Sequence, residues 1–175
     1  MKFLPTEIPG VYIIEPELIA DERGFFARTF CAKEFAARGF AAHMAQCSIS
    51  FNRRKGTLRG MHYQAAPHEE ARLVRCTRGA IFDVVLDLRE RSAAFGRWAG
   101  FELTAENRRT IYIPEGMAHG FQTLADETEV HYQMSAAYEE ASARGVRWND
   151  PAFAIRWPMA NPILSERDAR HASWK

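Results

Sequence analysis

The run "IFDVVLDLR", residues 81–89, narrows the choice of fold more than any other stretch. Phe82, Val84, Leu86 and Leu88 fall on one face of an extended chain, and Asp83, Val85 and Asp87 fall on the other. This pattern predicts a strand with its carboxylates on one face. "RLVRCT", "WAGFELT", "TIYIP", "HGFQTL" and "TEVHYQMS" are similar short runs, separated by the turn formers "TRGA", "TAENRR" and "PEGMA". Many short strands at roughly regular spacing predict an all-β sandwich or barrel, here an antiparallel β-barrel of jelly-roll type. Helix signals are few. "AKEFAARGF" offers a turn or two ending near Gly39, and "LSERDAR" opens on Ser165 as an N-cap.

With 175 residues the chain suits one domain with a proper core, residues 1–175, and is too short for two. Its 47% hydrophobic and 26% charged residues are globular in balance, and a net charge of +1 gives no general attraction to nucleic acid or to an anionic membrane. Cys31, Cys47 and Cys76 are odd in number, have no CxxC spacing, and follow no secretory segment. The opening apolar run is interrupted by Pro5 and Pro9 and is too short for a signal peptide, and no later run approaches a membrane span. A cytoplasmic location with reduced thiols is therefore expected.

"TLRGMHYQ", residues 57–64, sets Arg59, His62 and Gln64 among apolar neighbours in a strand-like stretch. Polar side chains that face into a barrel need partners or a task, because an unpaired buried charge costs several kcal/mol, roughly. His119 follows the turn "PEGMA", which delivers it to the start of another strand, and Tyr132 shares a strand face with Val130 and Met134. Alone, His62 reads as a satisfied wall histidine and Tyr132 as core packing. Together they supply a base near neutral pKa and a hydroxyl acid, while the cations Arg59 and Arg72 suit stabilisation of an enolate. These parts fit proton abstraction beside a carbonyl, and a base and an acid on opposite faces of one carbon would invert it.

"PEGMAH" also fits the PxGxxH part of the cupin pattern, so a metal has to be weighed. Metal-binding cupins usually carry His-x-His on an earlier strand, where this chain reads His62-Tyr63-Gln64. His62, His119 and Glu70 form a facial triad in principle, but no ligand spacing enforces it. The expectation is a site with no metal and no organic cofactor. Cys47 and Cys76 read as small core residues, Trp148 and Trp157 as core anchors, and His68 as a solvated loop residue.

"DERGFF", "GTLRGMHYQ", "LVRCTRGAIFDVVLDLR", "LTAENRR", "YIPEGMAHGFQTL", "RWNDP" and "LSERD" stand in order along nearly the whole chain. In these motifs the sequence resembles the dTDP-4-dehydrorhamnose 3,5-epimerases, cupin-fold enzymes of deoxysugar biosynthesis. The resemblance implies epimerisation, without metal, of a nucleotide-diphospho-4-keto-6-deoxy sugar at C3 and C5. It implies His62 as general base, Asp168 as its supporting carboxylate and Tyr132 as general acid. Arg59 and His119 would contact pyrophosphate and sugar, Asp83 would orient His119, and Tyr138 would stack on the base, while Arg75 and Arg167 are equal candidates for a phosphate contact. Arg23 would reach the nucleotide, supplied by the partner in a homodimer with exchanged N-terminal strands.

The chain departs from the family pattern around the ligand. Arg72 stands where a lysine is common, which keeps the charge but not the compact ammonium. Arg28 replaces a glutamate after "RGFF". "QCSISFN" stands for a segment that reads the nucleotide, with Gln46 and Ser48 as nearest equivalents, and Ala143-Arg144 lacks an expected acid. These changes add positive charge at the nucleotide end and leave a base other than thymine open. Three further readings stay open: inversion at C3 or C5 alone, a metal-dependent cupin isomerase or oxygenase, and a catalytically silent sugar-nucleotide-binding cupin.

Overall fold

The computed structural model describes residues 1–174. The chain opens with β1 (Lys2–Pro5), β2 (Tyr12–Glu15), the hairpin β3 (Ile19–Asp21) and β4 (Gly24–Phe26), and the short helix α1 (Ala32–Ala36). Then come β5 (Gln46–Asn52), β6 (Leu58–Gln64), β7 (Arg72–Arg78), β8 (Ala80–Asp87), β9 (Trp98–Thr104), β10 (Thr110–Ile113), β11 (Met117–Thr123) and β12 (Thr128–Met134). β13 (Ala143–Gly145) and the helix α2 (Glu166–Ala169) complete the order. Both helices fall where the sequence signals put them, and Ser165 caps α2 by accepting from the Asp168 amide at 3.1 Å.

One sheet runs in the order β1-β2-β10-β7-β12-β5, and a second in the order β13-β6-β11-β8-β9. Every ladder in both is antiparallel. The inner faces meet in a core that includes Val74, Ile111 and Val130 from the first sheet and Val85, Leu103 and Phe121 from the second. Each of these is at most 1% exposed, and burying a side chain of this size contributes about 1.5–3 kcal/mol relative to leaving it in water.

The outer faces are covered as well, which is why both faces of several strands read as apolar. Val84 and Leu86, with Phe82 beside them, pack under the returning C-terminal chain at Val146, Phe153 and Ile155. On the other sheet Ile14, Leu73 and Tyr112 lie beneath Phe35 of α1 and its neighbours Phe30 and Phe40. Tyr112 stacks on Phe40 at 4.4 Å between ring centres.

The inner face of β8 carries Ile81, Asp83, Val85 and Asp87, so the expected carboxylate face is the inside of the sandwich. Asp87 is satisfied locally by Arg89, whose Nε and Nη2 donate at 2.9 and 2.6 Å, and by Ser92 at 2.6 Å. Burial pushes its carboxyl up, and these donors outweigh burial, so its pKa lies below the usual value. Asp83, also fully buried, is held instead by His119, whose Nε2 lies 2.7 Å from its Oδ2. No helix among the described residues is long and apolar enough to cross a membrane.

Candidate active site

Arg59 and His62 are three residues apart, so an unbroken strand would turn them to opposite faces. The register removes that conflict. His62 lies opposite His119 and Arg59 opposite Phe121, so three steps along β6 match two along β11. This is a bulge, and it falls where Gly60 has φ 145°. A Cβ on Gly60 would stand 2.6 Å from Gly120 Cα, and one on Gly120 would stand 2.8 Å from the Arg59 carbonyl oxygen. Only glycine on both strands permits this approach, and its result is that Arg59 and His62 both point inward.

They line a cavity of about 420 Å³. The five-stranded sheet contributes Arg59, His62, Arg144 and His119, and the six-stranded sheet contributes Ser48, Ser50, Arg72 and Tyr132 from the other side. The C-terminal segment adds Arg167 and Asp168, and the stretch after β12 adds Tyr138. Four guanidinium groups, of Arg59, Arg72, Arg144 and Arg167, therefore border one cavity.

α2 delivers Asp168 beneath β6. In the sequence Ser165-Glu166-Arg167-Asp168 the serine caps the helix, and the carboxylate turns to β6. Its Oδ1 lies 2.7 Å from His62 Nε2, and its Oδ2 accepts from the Gly60 amide at 3.3 Å. Burial pushes the Asp168 carboxyl up, but the hydrogen bond and charge of His62, the Gly60 amide and the charge of His171 carry it below the usual carboxylate range. An ionised Asp168 can only accept, so His62 Nε2 carries the hydrogen and Nδ1 keeps the basic lone pair. His62 is 38% exposed and is reached from the cavity.

The opposite histidine is arranged alike. His119 Nε2 lies 2.7 Å from Asp83 Oδ2, with His119 4% and Asp83 0% exposed. Tyr132 stands beside His119, with ring centres 6.5 Å apart. Burial pushes its phenol up to about 12, against the contact with Ser50 and the charge of Arg59, so the group keeps its proton throughout the neutral range.

Arg72 is less free than the sequence suggests. Its Nε and Nη2 donate to Glu70 Oε1 at 2.9 and 2.5 Å, and its Nη1 donates to the His62 carbonyl at 2.9 Å. Arg59 has no carboxylate partner among the described residues, and its Nε donates to Asn52 Oδ1 at 2.8 Å. It is the freer charge. The facial triad of His62, His119 and Glu70 does not assemble, because Glu70 is engaged by Arg72 and His119 by Asp83. The donors that do come together are those of His62, Asp168 and His171, within 4.8 Å of one another, with His171 edge-on to His62 and packed against Gly145. Burial, and then the His62 charge, push the His171 pKa down, which keeps it neutral beside the base.

Among the predicted residues, Ser48, Arg59, His62, Arg72, His119, Tyr132, Tyr138, Arg167 and Asp168 thus meet at the cavity, with Asp83 behind His119. Arg23, Arg28, Gln46 and Arg75 do not line it. Arg23 sits at the tip of the exposed β3–β4 hairpin, where its Nη2 donates to Asp21 at 2.5 Å, and Gln46 Oε1 accepts from the Tyr138 amide at 2.8 Å. His68 is exposed in its loop, as expected, with its Nδ1 also bonded to Ser142 Oγ at 2.9 Å, whereas Cys47 is exposed and not part of the core. Sequence reading misses Ser50, Glu70 as the partner of Arg72, and His171. The period-two run Gln46-Ser48-Ser50-Asn52 carries a signal for Ser50, and nothing local carries one for His171.

Comparison with known proteins gives one consistent result. The family model described as dTDP-4-dehydrorhamnose 3,5-epimerase matches residues 5–175. The dTDP-4-dehydrorhamnose 3,5-epimerase of Shigella flexneri is 46% identical over 168 residues, covering 96% of this chain and 93% of that protein. A crystal structure of the dTDP-4-dehydrorhamnose 3,5-epimerase of Bacillus anthracis, with TDP and PPi bound, superposes with a TM-score of 0.94 at 37% identity, covering 99% of each chain. A dTDP-4-dehydrorhamnose 3-epimerase of Streptomyces niveus is 42% identical, over 96% of this chain and 81% of its own length.

Proposed function

Because the chain belongs to the dTDP-4-dehydrorhamnose 3,5-epimerase family, we propose a route by which its own cavity inverts a sugar carbon. The protein is a cupin-fold isomerase that epimerises a dTDP-4-keto-6-deoxy sugar. The route rests on one observation: His62 comes from β6 of one sheet and Tyr132 from β12 of the other, with the cavity between them. A carbon alpha to the ketone then has a base on one face and an acid on the other.

His62 Nδ1 takes the proton, Asp168 holds the imidazole in that tautomer, and the electron pair moves onto the ketone oxygen as an enolate. Tyr132 gives its hydroxyl proton to the opposite face and regains one from solvent. His119, held by Asp83, and Arg59 orient the sugar and pyrophosphate, Arg167 adds charge for the phosphates, and Tyr138, on the exposed side, stacks on the base. Arg72, neutralised by Glu70, positions the His62 backbone more than it stabilises charge. Neither a metal nor an organic cofactor takes part in this route.

The nucleotide end is completed by a second copy, in a homodimer with exchanged N-terminal strands. Ile19, Phe25 and Phe26 on the β3–β4 hairpin and Ile49 and Phe51 on the edge strand β5 are exposed, and apolar faces of this kind support a partner. Arg23 and Arg28 then serve the neighbouring site, and Gln46 acts through Tyr138. A monomeric mass in sedimentation equilibrium at micromolar concentration would remove this part of the reading. Residues 1–175 act as one domain, and the free thiols of Cys31, Cys47 and Cys76 support a cytoplasmic location.

Proton NMR in deuterated water with a dTDP-4-keto-6-deoxy sugar tests the whole. Loss of both the C3 and C5 signals, with the inverted sugar appearing, is the expected result. Loss of one alone means a single-site epimerase like that named for Streptomyces niveus. No exchange despite binding would overturn the catalytic assignment.

A further inference from the structure

Ser50 lies on the inward-facing alternation of β5 and lines the cavity. Its Oγ stands 3.4 Å from the Tyr132 hydroxyl and 3.3 Å from Asn52 Nδ2. Asn52 is 2% exposed, and its two ends are told apart by their partners. Oδ1 must face Arg59 Nε at 2.8 Å, because a guanidinium only donates, and Nδ2 then faces Ser50 and the Thr128 carbonyl, the latter at 3.2 Å. Ser50 Oγ therefore accepts from Asn52, and its hydroxyl hydrogen is available to Tyr132, in a 3.4 Å contact whose geometry allows either hydroxyl to donate. The contacts form a chain from Arg59 through Asn52 and Ser50 to the phenol oxygen, and the first two links have their direction set by groups that only donate.

We propose that Ser50 is a positioning residue for the acid step. By occupying a lone pair of the phenol oxygen, it turns the Tyr132 hydrogen away from the strand and into the cavity. When that proton passes to the carbon, the phenolate receives a hydrogen bond from Ser50 at the end of a chain that starts on a guanidinium. An apo contact of 3.4 Å is of the length that tightens once charge develops. In the reverse arrangement Tyr132 would donate to Ser50, and its proton would point away from the substrate. The proposal rests on the reading of Tyr132 as the acid, and the test separates the two.

The measurement is deuterium wash-in and net inversion, followed side by side with a dTDP-4-keto-6-deoxy sugar, for wild type, Ser50→Ala, Ser50→Thr and Tyr132→Phe. Ser50→Ala is expected to slow inversion roughly 10- to 100-fold, as for loss of a hydrogen bond to a charged group. Wash-in from the His62 side should stay within about 2-fold, given an unchanged base. Ser50→Thr, which keeps the hydroxyl, should restore inversion, and the alkaline limb of the rate profile should move up in Ser50→Ala. Equal loss of wash-in and inversion, a rise in KM alone, or no rescue by threonine would overturn the proposal. Should Tyr132→Phe itself invert normally, the acid assignment fails first.

Discussion

His62–Asp168 and His119–Asp83 share a donor–acceptor distance of 2.7 Å and stand opposite each other on paired strands, yet one imidazole is 38% exposed and the other 4%. Their carboxylates also differ in origin. Asp83 comes from β8, hydrogen-bonded to the histidine's own strand, whereas Asp168 arrives from a helix more than a hundred residues along the chain. Asp168 uses both oxygens, on His62 and on the Gly60 amide, while Asp83 Oδ1 has no partner among the described residues. A histidine–carboxylate pair is therefore not by itself a base. Access decides, and the pair with room for a substrate hydrogen in front of Nδ1 is the one that can remove a proton.

The comparison breaks most easily at the histidines. His62→Asn should reduce deuterium wash-in about 10²- to 10⁴-fold, the usual worth of a general base, with the fold retained by near-ultraviolet circular dichroism. His119→Asn should raise KM and leave wash-in at saturating substrate within about 10-fold. Equal loss in both variants would mean that the buried pair takes part in proton removal.

A smaller effect is expected one residue further back. Asp168→Asn presents an amide that can donate to His62 Nε2 and so puts the ring hydrogen on Nδ1, the wrong tautomer, at a cost of about 10²-fold or more in kcat. Asp83→Asn does the same to a ring that only orients the substrate, and its loss should fall mainly in KM. Steady-state kinetics on the two variants distinguishes these outcomes.

The smallest effect concerns acid stability. The Asp168 pKa is lowered in the folded state, so its contribution is complete above the unfolded value of about 3.9 and is lost as pH falls through the lower folded value. The urea midpoint of wild type should therefore drop more steeply below about pH 4 than that of Asp168→Asn. Parallel curves would mean that Asp168 is held no differently in the folded state than in the unfolded one.

Much of this site was legible in the chain because its parts sit in local patterns. The alternation in "IFDVVLDLR" placed Asp83 on one face with Val85 and Asp87, and "TEVHYQMS" placed Tyr132 with Val130. The motifs at His62, His119 and Asp168 carried the family. What stayed hidden depends on contacts between distant segments. Glu70 neutralises Arg72 through side chains two apart on a loop and a strand, which composition does not reveal. His171 reaches the base only because α2 returns beneath β6, and His68 is taken up by Ser142 from a segment 74 residues away.

The sequence by itself determined the all-β class, the sharing of one strand face by Asp83 and Asp87, and the chemical inventory, because a period of two is written residue by residue and needs no partner to be read. The tertiary structure decided which of those groups face one another. Arg59 and His62, three apart, belong on opposite faces of any regular strand, and only the bulge against Gly120, with no side chain on either glycine, turns both into the cavity. That choice lies in the register between β6 and β11, a property of two strands in contact that neither strand carries alone.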